Sequence, residues 1–163
     1  MQDEMPHDFL GLCQAIGYVV VHWALIEQQL DNWVNVSFIN CGGAPLRKQK
    51  DIPRSLNQKI KFLKICFRTL AALEPFRSDG TDLVNLISTL APKRNNLIHG
   101  AITSIHPVNG AFEFRKIGYD KQTHTLASFE FTLAEFSTLE ESLSNLLTES
   151  LAFSVKLGTA FLK

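Results

Sequence analysis

Cysteine is scarce in this sequence and scattered: Cys13, Cys41 and Cys66 form an odd set without the paired spacing of a disulfide framework or a zinc site. Two of the three fall on apolar helical stripes, so buried, reduced thiols are expected. No HExxH, acidic calcium loop or paired cysteine cluster occurs, and neither a metal nor a cofactor is expected. Gly42-Gly43 lacks the following Lys-Ser/Thr of a phosphate-binding loop and reads as a helix terminator. Tracts rich in Pro, Ser or Gly are missing too, which argues against a long linker or a disordered arm. The longest apolar run, Ala15 to Ile26, is interrupted by His22 and is shorter than the roughly 20 residues that span a membrane. No membrane segment is therefore expected. The N-terminal stretch MQDEMPHDF has neither the positive charge nor the apolar core and small-residue cleavage site of a secretory signal, which predicts a cytoplasmic protein.

Positive charge is absent from Met1 to Leu46. It then gathers in Arg47, Lys48, Lys50, Arg54, Lys59, Lys61, Lys64 and Arg68, with only Asp51 against it. The formal net charge of +0 argues against a surface that is basic all over, as a general nucleic-acid binder usually has. The basic segment reads as a solvated helix face or as a phosphate-backbone contact, for which Arg47, Lys48, Lys50 and Arg54 are the candidates.

What is present is an ordinary globular mixture, 45% apolar and 20% charged over 163 residues, enough for one domain spanning 1–163 with a continuous core. Phe9, Cys13, Ile16, Val20, Trp23, Ile26 or Glu27, Leu30 and Trp33 or Val34 recur at three-to-four spacing. They predict a first helix of about 45 Å, at 1.5 Å per residue, ended by Cys41-Gly42-Gly43. Ser55 and Gln58 form a capping-box pattern ahead of Leu56, Ile60, Leu63, Phe67, Leu70 and Leu73, a second helix that Pro75 breaks. Arg77-Ser78-Asp79-Gly80 reads as a turn. Leu83, Val84, Ile87, Leu90, Leu97 and Ile98 then mark a third helix, kinked or restarted at Pro92 and stopped at Gly100.

From Ala101 the pattern changes to short β-branched and aromatic runs, Ile102 to Ile105, Phe112 to Tyr119 and Thr125 to Phe131, separated by Asn109-Gly110 and Asp120-Lys121. Thr132 and Glu135 offer another capping box before the stripe Leu133, Phe136, Leu139, Leu143, Leu146 or Leu147, and Leu151. The expected fold class is mainly all-α: an antiparallel bundle of about four long helices, with a small antiparallel β-meander at about 101–131 inserted before the last helix.

The chemistry concentrates in Arg94-Asn95-Asn96-Leu97-Ile98-His99-Gly100. Asn95 and His99 are four apart and share a helix face. Arg94 and His99 are five apart, about 140° around a regular helix, so one helix does not aim both at one atom. A two-fold axis that pairs two copies of this helix removes the difficulty, because the Arg of one chain and the His of the other can line a shared cleft. Such a cleft suits cleavage of an RNA phosphodiester without metal. In that scheme His99 takes the ribose 2′-hydroxyl proton or protonates the leaving 5′-oxygen. Arg94 stabilises the charge developing on the phosphoryl group, and Asn95 orients the phosphate or the imidazole. The plainer reading has Arg94 paired with a carboxylate and His99 capping the helix. His22, beside the first stripe, reads as packed. His7, His106 and His124 fall in predicted loops or at strand edges. Trp23 and Trp33 occupy core spacing and read as packing residues.

Arg94-Asn95-x-x-x-His99 near the end of the third helix resembles the motif of the HEPN family, an Arg followed by a polar residue and then a His. The resemblance implies paired protomers with motif helices meeting at their interface, and metal-independent ribonuclease activity in toxins of toxin–antitoxin or phage-defence systems. RNA and an antitoxin protein are the partners it implies besides a second copy. A long first helix with an acidic residue at its middle, here Trp23-Ala24-Leu25-Ile26-Glu27, is also similar to bacterial members, and implies a supporting place for Glu27 beside Arg94. Some members add a Tyr two residues after the His, which a partner nucleotidyltransferase modifies. Ala101 stands there in this chain, so the resemblance does not carry that control over. The same fold also admits a non-catalytic module that binds nucleic acid or a protein partner.

Overall fold

The structure is a computed structural model and describes residues 7–47, 51–106, 110–119 and 123–161. Four long helices carry the chain: α1 (His7–Asn35), α2 (Leu56–Thr69), α3 (Arg77–His99) and α4 (Leu133–Phe161). A three-stranded antiparallel sheet in the order β1 (Ala101–Ile105), β2 (Phe112–Tyr119), β3 (His124–Phe131) is inserted before α4. The expected mainly helical class with a late β insertion is what the chain adopts. Lys48, Lys50, Asn109 and the turn Asp120-Lys121 lie outside the described residues. The contacts cluster into two compact units, one of residues 1–23 and 91–144, the other of 24–90 and 145–163.

In the second unit, aromatic packing fixes the core. The Phe153 ring meets Trp33 edge-on at 5.0 Å, and Phe67 and Phe76 also pack on it at steep angles. Trp33 Nε1 donates to Ser154 Oγ at 2.7 Å, so this buried indole keeps a partner for its N–H. Lys59 pairs with Asp31, linking α2 to α1. The α1 helix runs on as a π-helical segment, Val36–Asn40, before Gly42 turns the chain in the left-handed region at φ +75°.

The Ser55 cap forms with Gln58 N, while the Gln58 side chain accepts from Arg54 N rather than closing the reciprocal bond. α2 ends at Thr69, earlier than the expected break at Pro75, and Ala71–Phe76 follow as a 3-10 segment that holds the proline. Arg77-Ser78-Asp79-Gly80 is not a turn but the first turn of α3. Gly80 is needed there for closeness: a Cβ would sit 2.5 Å from the Phe67 ring, and Arg77 Nε donates to Phe67 O at 2.8 Å. Helix α3 passes through Pro92 without restarting.

In the first unit, the sheet and the start of α4 share a phenylalanine cluster. Phe112 and Phe114 pair in register with Phe131 and Phe129. Phe114 and Phe129 stack at 5.4 Å, and Phe136 of α4 packs on Phe131 at 5.3 Å. Full burial of each such ring contributes about 1.5–3 kcal/mol. The α4 capping box closes both ways, with Glu135 N on Thr132 Oγ1 at 3.2 Å and Thr132 N on Glu135 Oε2 at 2.8 Å. On the other sheet face Glu113 accepts from Ser104 Oγ and Arg115 Nε, and these hydrogen bonds hold its carboxyl below the ordinary carboxylate range.

The helical stripes drift from the expected positions. On α1 the buried apolar residues are Leu12, Ala15, Val19, Trp23, Ile26, Leu30, Trp33 and Val34, with Gln29 buried beside them, whereas Cys13 and Val20 are exposed. On α4 Leu133 and Leu151 are exposed, and Phe153 and Leu157 continue the core instead. The shift follows from apolar residues on both sides of these helices, which lets a spacing rule choose the wrong side. His7, expected in a loop, begins α1. The helical stretch Phe9–Asn40 contains an 18-residue segment of mean hydropathy 1.8, by length and composition enough to cross a membrane, and only 22% of that segment is buried. The expectation that no segment reaches that length holds for the apolar run and not for the helix that contains it.

Cys13 is exposed, while burial raises the Cys41 thiol and pushes Cys66 up to about 12, with Cys41 adding to the rise. Under native conditions at pH 8, one thiol should react rapidly with a maleimide or aromatic disulfide and two only on unfolding. Mass mapping that finds Cys66 labelled as fast as Cys13 would contradict this packing.

Candidate active site at the end of the third helix

The apolar stripe of α3 runs Ile87, Leu90, Ala91, then Leu97, all buried, and Arg94 occupies the position between them. A charged side chain is thereby aimed inward, where it must keep a partner. It lies on an indole: Arg94 Cζ stands 5.8 Å from the ring centroid of Trp23, a residue with no exposed surface. A cation on the indole face is attracted by the ring quadrupole, by about 0.5–2 kcal/mol depending on desolvation. Arg94 Nη1 also donates to Asn95 Oδ1 at 3.0 Å, which fixes the Asn95 amide. Two nitrogens in this group are buried without a hydrogen-bond partner among the described residues, Arg94 Nε and Trp23 Nε1.

His99 ends the helix one turn beyond Asn95 and is exposed, next to the half-buried Asn95 and Asn96. The structure thus brings Arg94 and Asn95 into direct contact and leaves His99 on the surface of the same helical end. Gly100 N donates to Asn96 O at 2.8 Å, after which the chain enters β1 directly at Ala101. A Cβ at Gly100 would lie 2.7 Å from Phe129 Cζ and 2.6 Å from Asn96 O. The glycine therefore lets the sheet close on the end of the motif helix, which anchors His99 from the C-terminal side.

Glu27 is half-buried on α1 within the second unit. Arg47 and Arg54 also belong to that unit; Arg54 is exposed and Arg47 half-buried. His22 stacks on Tyr18 at 3.7 Å and its Nδ1 lies 3.0 Å from Tyr18 O, a packed role as expected. His106 Nε2 lies 3.2 Å from Glu130 Oε1. Among the described residues no three His, Cys, Asp or Glu side chains gather as a metal set would. Two recesses, one with Asp79, Glu149 and Lys156 and another with Gln14, Tyr18 and Glu140, include none of the motif residues.

Trp23 was legible as a core residue but not as the platform for Arg94. The available signal was that Arg94 interrupts an apolar stripe, which requires a partner on the facing element. Comparison of the chain with protein-family models, with characterised proteins and with solved structures returned no match.

Gly100→Ala should lower stability by about 1–3 kcal/mol, the usual cost of forcing atoms into a packed site. Urea unfolding measures it. A loss below about 0.5 kcal/mol, typical of an unconstrained surface change, would mean that the sheet does not bear on the end of the motif helix.

Proposed function

We propose that this chain is a metal-independent endoribonuclease of the HEPN type that acts as a homodimer, with Arg94, Asn95 and His99 in its composite site. The observation that carries the reading is the motif's division of labour on one helical end: a guanidinium held on Trp23, an amide oriented by that guanidinium, and an imidazole left exposed one turn later. In the reaction His99 of one protomer takes the 2′-hydroxyl proton as the 2′-oxygen attacks phosphorus. His99 of the other gives a proton to the departing 5′-oxygen, leaving a 2′,3′-cyclic phosphate. Arg94 meets the negative charge that builds on the non-bridging oxygens, and Asn95 orients the phosphate. Imidazole and guanidinium supply the proton transfer and the charge stabilisation, so the scheme calls for no metal. Glu27, Arg47, Lys48, Lys50 and Arg54 remain the proposed supporting and RNA-backbone residues, in a cytoplasmic protein. A toxin–antitoxin or phage-defence setting, with an antitoxin as partner, belongs to the same proposal.

The dimer has its own support. At 100° per residue Leu10, Gly17 and Val21 fall on the side of α1 opposite Leu12, Val19 and Trp23. Leu10, Val20 and Val21 are 50%, 44% and 57% exposed, and the neighbouring Cys13 and Gly17 are exposed too. A helix that is apolar on both sides needs cover on both. A second copy supplies an equally apolar face by two-fold symmetry.

Mixed RNA incubated in EDTA should be cut to products with 2′,3′-cyclic phosphate ends. His99→Ala should reduce cleavage at least about 100-fold, the lower range for loss of a general acid or base, with the fold retained. A folded dimer that cuts nothing would instead favour a non-catalytic binding module.

Sedimentation should find a dimer at micromolar concentration, and replacing both Val20 and Val21 by Arg should yield a folded monomer that no longer cleaves. A wild-type chain that stays monomeric at high concentration would overturn the shared cleft.

A further inference from the structure

Four buried side-chain polar atoms lack a hydrogen-bond partner among the described residues; the Ser37 and Ser150 hydroxyls stand alone, whereas the two nitrogen donors belong to side chains in one contact. The indole N–H of Trp33 is bonded to Ser154, whereas that of Trp23 is not. Buried donors are almost always satisfied, and an exception calls for a reason such as a binding role. Here another exception, Arg94 Nε, belongs to the guanidinium that stands over the same Trp23 ring. Both groups donate and neither accepts, and one of them is cationic. What they lack in common is an oxygen acceptor with negative charge.

We infer that Trp23 and Arg94 form a two-donor anion cradle whose ligand is a phosphate group, with Trp23 a direct phosphate-binding residue as well as the platform for Arg94. The inference rests on the proposed ribonuclease reading for the identity of the phosphate, the one to be cleaved, but the cradle makes a claim of its own. Arg94 Nη1 is committed to Asn95 Oδ1, so Nε is a side of the guanidinium left for the ligand. Trp23 Nε1 is the second donor. Two donors, one of them on a planar cation, hold an oxyanion more firmly than a single point charge does. Both nitrogens are covered in the free protein. Seating an oxygen on them shifts the guanidinium on the ring and alters the surroundings of the indole.

That change supplies the test. Wild-type protein is titrated with inorganic phosphate at constant ionic strength, with chloride as the control, while tryptophan emission is followed and binding is measured independently by phosphorus NMR. The cradle predicts a saturable emission change with phosphate and none with chloride. Trp23→Phe keeps an aromatic face under Arg94 but removes the N–H. Its remaining Trp33 emission should not respond, and phosphate affinity should fall about tenfold or more, as for loss of a hydrogen bond to a charged group. Arg94→Gln should abolish both signals, and circular dichroism of each variant establishes that it is folded. Phosphate affinity unchanged in folded Trp23→Phe would remove Trp23 as a ligand, and an emission response equal in chloride would remove the site. Phosphate binding without RNA cleavage would leave the cradle standing and overturn the catalytic reading. Cleavage by a protein whose Trp23 ignores phosphate would overturn the cradle alone.

Discussion

A guanidinium laid on an indole face sets the geometry on which the motif depends. Arg94 occupies a core-facing position of α3, and without an apolar, electron-rich surface to receive it the helix would have to rotate or the side chain would have to snorkel outward. With Trp23 in place the helix keeps its apolar stripe, and the rotation of its last turns is fixed. Asn95 then takes its orientation from Arg94, and His99 comes to the surface a turn later. The inward arginine and the outward histidine are thus two consequences of one rotation.

The second constraint comes from the sheet. Gly100 admits Phe129 at a distance no other residue would allow, so the phenylalanine cluster of the meander closes on the final turn of the motif helix. This ties the local stability of that turn to Phe112, Phe114, Phe129 and Phe131, and through Phe136 to the capping box that starts α4. A helix C-terminus usually frays. Here the chain passes at once into a paired strand, which limits fraying at the point where the proposed chemistry needs a fixed imidazole. The strain-free route is a glycine with no need of the left-handed region, unlike Gly42 and Gly110, whose φ values of 75° and 63° serve turns.

Much of the architecture was legible because it rests on local chemistry. The Thr132–Glu135 capping box, the three strands and the helix-ending Gly42 are decided by residues close in sequence, and each forms where it was expected. The failures have a common cause in contacts distant along the chain. Arg77 to Gly80 carries strong turn residues, yet the Phe67 ring and carbonyl recruit them into a helix. Cys13 sits at helical spacing with its neighbours, yet the apolar residues on both sides of α1 allow two stripes, and the core takes the other one.

The sequence by itself determined the order of the four long helices and three strands, the place of the meander, and the presence of Arg94, Asn95 and His99 on one helical end, because periodicity, caps and turn residues act over a few positions. Only the tertiary structure decided which side of α1 is buried, that Arg94 rests on Trp23, and that two donors there are left without partners. Those outcomes depend on which faces meet, and the meeting of residues 23 and 94 is a long-range packing choice that no local propensity encodes.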